Sequence, residues 1–172
     1  VVSGLTYLQN QKMVRLSTDE ISKLAYADMQ HVLEGIYGTC STRDHAVQDH
    51  VKAGLNVARD QVRKTGAVSF SQETVKWNAV NQFNNASQPI ELPRMVLGET
   101  WLGQNARAGV KSPVVDDVKD IVGAVCTIFQ RMNDAGDMLR VSTNVAKQDG
   151  TRAIGTFIPA TNPDGVSNPV IS

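Results

Sequence analysis

The chain has 172 residues, enough for one domain with a real core and too few for two full enzymatic domains. Seventeen basic and seventeen acidic side chains cancel, and the balance is local, with eight basic and seven acidic residues in 1–66 and nine and ten in 67–172. No net or segmental basic excess is present to neutralise phosphates, which argues against nucleic acid or an anionic membrane surface as partner. A hydrophobic content of 41% with 20% charged residues is globular, and no apolar run approaches the roughly 18 to 20 residues that span a bilayer.

Residues 1–66 read as helical. They lack proline, and Ile21, Leu24, Ala25, Met29, Val32 and Ile36 recur at helical spacing, with Leu5, Leu8, Met13 and Leu16 as an N-terminal extension. Ser17-Thr18-Asp19-Glu20 has capping-box form, yet the stripe continues through it, so a single helix over 4–36 is expected, about 50 Å long at 1.5 Å per residue. Gly38 is expected to end it. A second helix then carries Val47, Val51, Leu55, Ala58 and Val62 and stops at Gly66. Val1 opens directly into this pattern, as in a domain excised from a longer chain.

All six prolines, both tryptophans and all four phenylalanines lie beyond Gly66, and the pattern there becomes that of short strands in 67–172. Helices first and sheet second predict an α+β fold. Glu73–Gln82 and Leu92–Leu102 read as strands anchored by Trp77 and Trp101. Pro113 followed by Val114, Val115, Val118, Ile121 and Val122 suggests a short helix with Asp116, Asp117 and Asp120 facing water. Two hairpins come next. A turn at 133–136 pairs Arg131 with Met138, Phe129 with Arg140, Ile128 with Val141 and Thr127 with Ser142. A type I′ turn at Asp149-Gly150 pairs Val145 with Ile154, Thr143 with Thr156, Ser142 with Phe157 and Val141 with Ile158.

Alternation then separates two surfaces. Ala124, Cys126, Ile128, Leu139, Val141, Val145, Ile154 and Ile158 form an apolar face, and Thr127, Phe129, Arg131, Met138, Arg140, Ser142, Asn144 and Phe157 a mixed one. The mixed face suits a pocket, because arginine presents a planar fork of donors matching a carboxylate and a flanking phenylalanine excludes water. It also suits the solvated face that an antiparallel sheet ordinarily has, and the alternative is then a structural or interaction module that assembles through the long helix without a small-molecule ligand.

Little in the sequence supports catalysis or a cofactor. His31, His45 and His50 lack the three- or four-residue spacing of a metal pair on one helix face. Asp116, Asp117 and Asp120 lack the spacing and glycine of a calcium loop. Cys40 and Cys126, with no Cys-x-x-Cys spacing, read as two buried thiols. No nucleophile elbow, phosphate-binding glycine loop or dinucleotide fingerprint occurs.

Several phrases are nonetheless specific: Thr127-Ile128-Phe129-Gln130-Arg131-Met132-Asn133, the run Gly136 to Val145, and the run Asp149 to Thr156. With Trp77-x-Ala79-x-Asn81-Gln82-Phe83, Leu92-Pro93-x-Met95, Trp101-Leu102-Gly103-Gln104-Asn105 and Pro113-Val114-Val115-Asp116, they resemble the Cache sensor domains of the Cache 3/Cache 2 fusion type. These are extracytoplasmic input domains of chemotaxis receptors and sensor histidine kinases. The resemblance implies a long N-terminal helix and a second helix packed on a PAS-like antiparallel sheet, one face of which binds a small molecule. It makes the helix a signalling stalk and a route to homodimers, with membrane anchoring through flanking segments only and a periplasmic location on an inner-membrane protein. The family pattern continues past Asn168-Pro169-Val170 with further strands, so the sheet is expected to lack its last strands. Beyond the small molecule that the resemblance implies, the arginines on the mixed face point to a short carboxylate such as acetate or propionate, with uncharged ligands or purines as the alternatives. Arg131 or Arg140 is its charge partner; Phe129, Met138, Trp101 and Phe157 are the walls, with Ser142 and Thr127 beside them.

Overall fold

The computed structural model describes residues 2–171, so positions 1 and 172, the outer limits of the two predicted segments, lie outside the described residues. The fold is α+β. It comprises α1 (Val2–Thr65), β1 (Val68–Asn81), β2 (Ser87–Leu97), β3 (Thr100–Trp101), α2 (Val115–Val122), β4 (Thr127–Arg131), β5 (Met138–Thr143) and β6 (Thr156–Ile158). By its contacts the chain forms two units, residues 1–49 and 50–172.

The first unit is helix alone. The helix passes through Ser17–Glu20 as expected, but Gly38 does not end it, and the segment up to Thr65 continues the same helix; the second helix of the fold is α2. One interior glycine costs a helix only about 1 kcal/mol, and with no proline before position 89 nothing completes a stop there. The Thr39 and Thr42 hydroxyls instead bond back to the carbonyls of Gly35 and Gly38 at 2.8 and 2.9 Å. Apolar side chains of this unit, among them Ile21, Leu24, Val32 and Ile36, are exposed. So is Cys40, against the expectation of two buried thiols, while Cys126 is half-buried and both are free.

In the second unit α1 stops at Thr65, and Gly66 takes a φ of 133°. The six strands run in the order β3-β2-β1-β6-β5-β4. The sheet is mostly antiparallel, as expected; only β6 with β1 pairs in parallel, at Val80–Thr156 and Asn81–Phe157. Trp77, Ala79, Leu92, Met95 and Leu97 of the β1–β2 hairpin share one core with Leu139, Val141 and Phe157. Ala58 and Val62 from the end of α1 pack against it. Trp101, expected as an anchor, is 40% exposed.

Registers decide the faces. Arg131–Met138 and Phe129–Arg140 pair as predicted, but a bulge at Val141 makes Ile128 face Ser142 and Thr127 face Thr143. The Asp149-Gly150 loop keeps only an Ala146–Arg152 bridge. Among its central residues Gly150 alone has positive φ, so the turn is not type I′. Lys147 N–H to Thr151 O at 2.7 Å and Gly150 N–H to Lys147 O at 3.0 Å close a three-residue loop, which inserts an extra residue. Beyond it Met138 pairs with Ile158 and Leu139 with Phe157, three residues out of the predicted register. An odd slip exchanges the faces.

At α2, Asp116 turns inward rather than to water, and the buried Val114 before the helix has a φ of 67°. For a β-branched residue that conformation costs on the order of 1–3 kcal/mol.

Candidate ligand-binding site

The mixed face of β4 and β5 pairs Thr127 with Thr143, Phe129 with Arg140 and Arg131 with Met138. The two threonine hydroxyls lie 2.7 Å apart, which fixes their common side. Opposite Met138 stands Ile158, and two residues before it Thr156, whose Oγ1 accepts from Arg140 Nη1 at 3.0 Å.

Arg140 differs from its neighbours. Its guanidinium is partly buried, sits 5.6 Å from the Phe129 ring centroid, and has only neutral acceptors, Thr156 Oγ1 and the Ala153 carbonyl at 3.4 Å. Its Nε is buried without a hydrogen-bond partner among the described residues. Burial pulls the group below its ordinary pKa, so the cationic form is disfavoured by desolvation with no anion to offset it. Arg131 is the reverse case: exposed, with Nε on Asn133 O at 2.9 Å and Nη2 on Asp134 O at 2.7 Å, it holds the 133–136 turn.

The other predicted residues do not gather here. Phe157 faces Leu139 in the core, 6% exposed, because the slipped register turns it over. Ser142 is moved off the face by the bulge and is 2% exposed, with an unpartnered Oγ. Trp101 lies on β3, the opposite edge strand from β4, under the Arg94 guanidinium at 4.7 Å. Thr143, Thr156 and Ile158 occupy the face instead.

Two cavities reach the ends of this face, at Thr127 and at Arg131, a third lies off it, and Arg140 and Phe129 line none of the three. One of about 380 Å³ lies among Val51, Leu55, Ala58, Val118, Cys126 and Thr127. Another of about 410 Å³ opens beside Phe70, Pro93, Gln130 and Arg131. A third, of about 360 Å³ and more polar, is lined by Lys111, Asp116, Lys119, Asp120, Asn144 and Arg152. Desolvation raises the Cys126 thiol pKa, so at neutral pH it is a poor nucleophile.

Residue-pattern reasoning missed Arg152. Only 4% exposed, it donates to both oxygens of Asp116 at 2.8 and 2.7 Å and to the carbonyls of Arg107, Val110 and Thr143. Burial alone would raise the Asp116 carboxyl, but the Arg152 and Ser112 N–H hydrogen bonds and the Arg152 charge outweigh it and hold the pKa below the ordinary value. One signal was available: a lone arginine directly before the apolar pair Ala153-Ile154. Among the described residues no group of His, Cys, Asp or Glu is placed to hold a metal ion.

Fold and site together define an α+β module that presents a desolvated cation on one sheet face. The chain belongs to the Cache 3/Cache 2 fusion domain family, whose sequence model matches residues 15–172. Cache domains as a class are extracytoplasmic sensor modules that bind small molecules rather than transform them. No curated protein and no solved structure gives a match to this chain. No described helix is long and apolar enough to cross a membrane.

Proposed function

We propose that the chain is the periplasmic ligand-binding part of a bacterial transmembrane receptor, a chemoreceptor or a sensor kinase, and that it takes a short carboxylate such as acetate or propionate with Arg140 as charge partner. The observation that carries this reading is the half-buried Arg140 guanidinium with an unpartnered Nε beside Phe129. A carboxylate there would regain the charge stabilisation that burial removes and form charge-assisted hydrogen bonds, while Phe129, Met138 and Ile158 exclude water. Arg131, engaged with its own turn, serves at most as a rim charge. Isothermal titration with sodium propionate is expected to give saturable binding, weakened about 100-fold by Arg140→Ala and little changed by Arg131→Ala. Equal binding by wild type and Arg140→Ala would sink the assignment.

Signal output through α1, and homodimerisation along it, belong to the same reading. They are supported by the exposed Ile21, Leu24, Val32 and Ile36 of the first unit, a stripe with no partner within the chain's own described packing. Sedimentation equilibrium is expected to show a dimer that Leu24→Asp with Ile36→Asp converts to monomer; a monomeric wild type removes the dimer.

A further inference from the structure

Residues 152–156, between the Asp149-Gly150 loop and β6, are held at both ends. At one end Arg152 grips Asp116 and the carbonyls of the 107–110 loop, and its own N–H donates to Ala106 O at 2.8 Å. Asp116 in turn accepts the Ser112 N–H at 2.7 Å. At the other end Arg140 Nη1 donates to Ala153 O and Thr156 Oγ1, Thr156 Oγ1 donates to Ala153 O at 3.1 Å, and Gly155 N–H donates to Arg140 O at 2.9 Å. The same five residues therefore touch both the proposed ligand partner and the clamp on the 106–117 segment.

That segment carries Val114, which is 1% exposed at a φ of 67°; the other described non-glycine residue with positive φ, Asn85, is of a type that tolerates it. A β-branched residue stays in such a conformation only where its surroundings over-determine it. Here the Arg152–Asp116 pair, the Ser112 N–H and the Asp117 carboxylate, which accepts the Val114 N–H at 3.2 Å, supply that constraint.

We propose that residues 152–156 form a strap coupling occupancy of the Arg140 site to the closure of the 106–117 segment. A carboxylate that draws Nη1 away from Ala153 O and Thr156 Oγ1 removes the Arg140 side-chain hold on one end of the strap and leaves it on the Gly155 backbone bonds to Arg140 and Val80, which loosens the Arg152–Asp116 clamp at the other end and lets Val114 relax. This rests on the reading of Arg140 as the ligand's partner, and it requires the ligand to bind the loosened state better than the clamped one.

Hydrogen exchange on the purified chain tests it. Thr156→Val removes the hydroxyl contact and leaves Arg140 in place; Arg140→Met removes both side-chain contacts. In both, the Ser112 and Arg152 amides are expected to exchange about tenfold faster than in wild type, while Trp77 and Ala79 in β1 keep their protection and report an intact fold. Wild-type rates at Ser112 and Arg152 in the variant that keeps β1 protected would overturn the strap. With saturating sodium propionate on wild type, faster exchange at the same two amides supports the coupling. A heat of binding with unchanged exchange overturns the coupling but not the site, whereas no heat of binding overturns the ligand reading on which it rests.

Discussion

Asp116→Ala is expected to lower the unfolding free energy by about 3 kcal/mol, because it leaves the Arg152 guanidinium buried without its counter-charge. The carboxylate is 16% exposed and receives both Arg152 Nη atoms and the Ser112 N–H, so its removal strands three donors at once. Asp120, on the same helix and exposed, is the control: Asp120→Ala is expected to change stability by less than about 0.5 kcal/mol. Urea denaturation of the three proteins gives the comparison directly, with equal m-values required for the midpoints to be read as stability. The effect is also pH-dependent in a fixed direction. The folded-state pKa of Asp116 lies below 3.8, so the stabilisation is complete above that value and is lost as pH falls through the depressed folded pKa. The gap between wild type and Asp116→Ala is therefore expected at pH 7 and expected to close in strong acid. A loss no larger than that of Asp120→Ala would remove Arg152–Asp116 as a structural clamp.

How far the sequence announces such features depends on whether they are local. The helical stripe from Leu5 to Val62 is periodic and legible, as is the pairing of Phe129 with Arg140 across a turn that Asn133 organises through its own side chain. Gly38 reads as a stop and is not one, because a glycine ends a helix only when the residues after it cannot continue the turn. Phe157 and Ser142 are misplaced by pattern for a different reason: Ser142 depends on one extra residue at Val141, and Phe157 on a three-residue slip of which the 148–150 loop supplies one, and pattern counting cannot see either irregularity. Within the candidate site, Arg140 and Phe129 keep their predicted pairing because they sit between the predicted turn and the bulge. Arg152 is invisible as a partner of Asp116 since the two are 36 positions apart and only the tertiary fold brings them together.

The largest effect of a single methyl group is expected at Gly98. It has a φ of 61°, and a Cβ there would run into the carbonyl oxygen of Thr65, the last residue of α1. Gly66 mirrors it, since a Cβ on Gly66 would lie 2.5 Å from the Gly98 Cα. Two glycines thus let the end of the helix cross the β2–β3 turn backbone to backbone, tied by Gly98 N–H to Ala67 O at 2.9 Å. Gly98→Ala meets both the left-handed penalty and a backbone clash that no rotamer relieves, and is expected to cost about 2 to 4 kcal/mol. Gly150→Ala isolates the first effect: it has a φ of 80° with nothing within 4 Å, and about 1 kcal/mol is expected. Gly109→Ala has neither and is expected to be neutral. Urea midpoints that fall in the order Gly109, Gly150, Gly98 establish the crossing as a close-packed joint, while equal losses at Gly98 and Gly150 would leave only backbone conformation. On the proposed reading, in which output travels along α1, such a joint is one route, beside the packing of Ala58 and Val62 on the core, by which sheet movement reaches the helix. Gly98→Ala in an intact receptor is accordingly expected to weaken the response to ligand more than its stability loss alone accounts for.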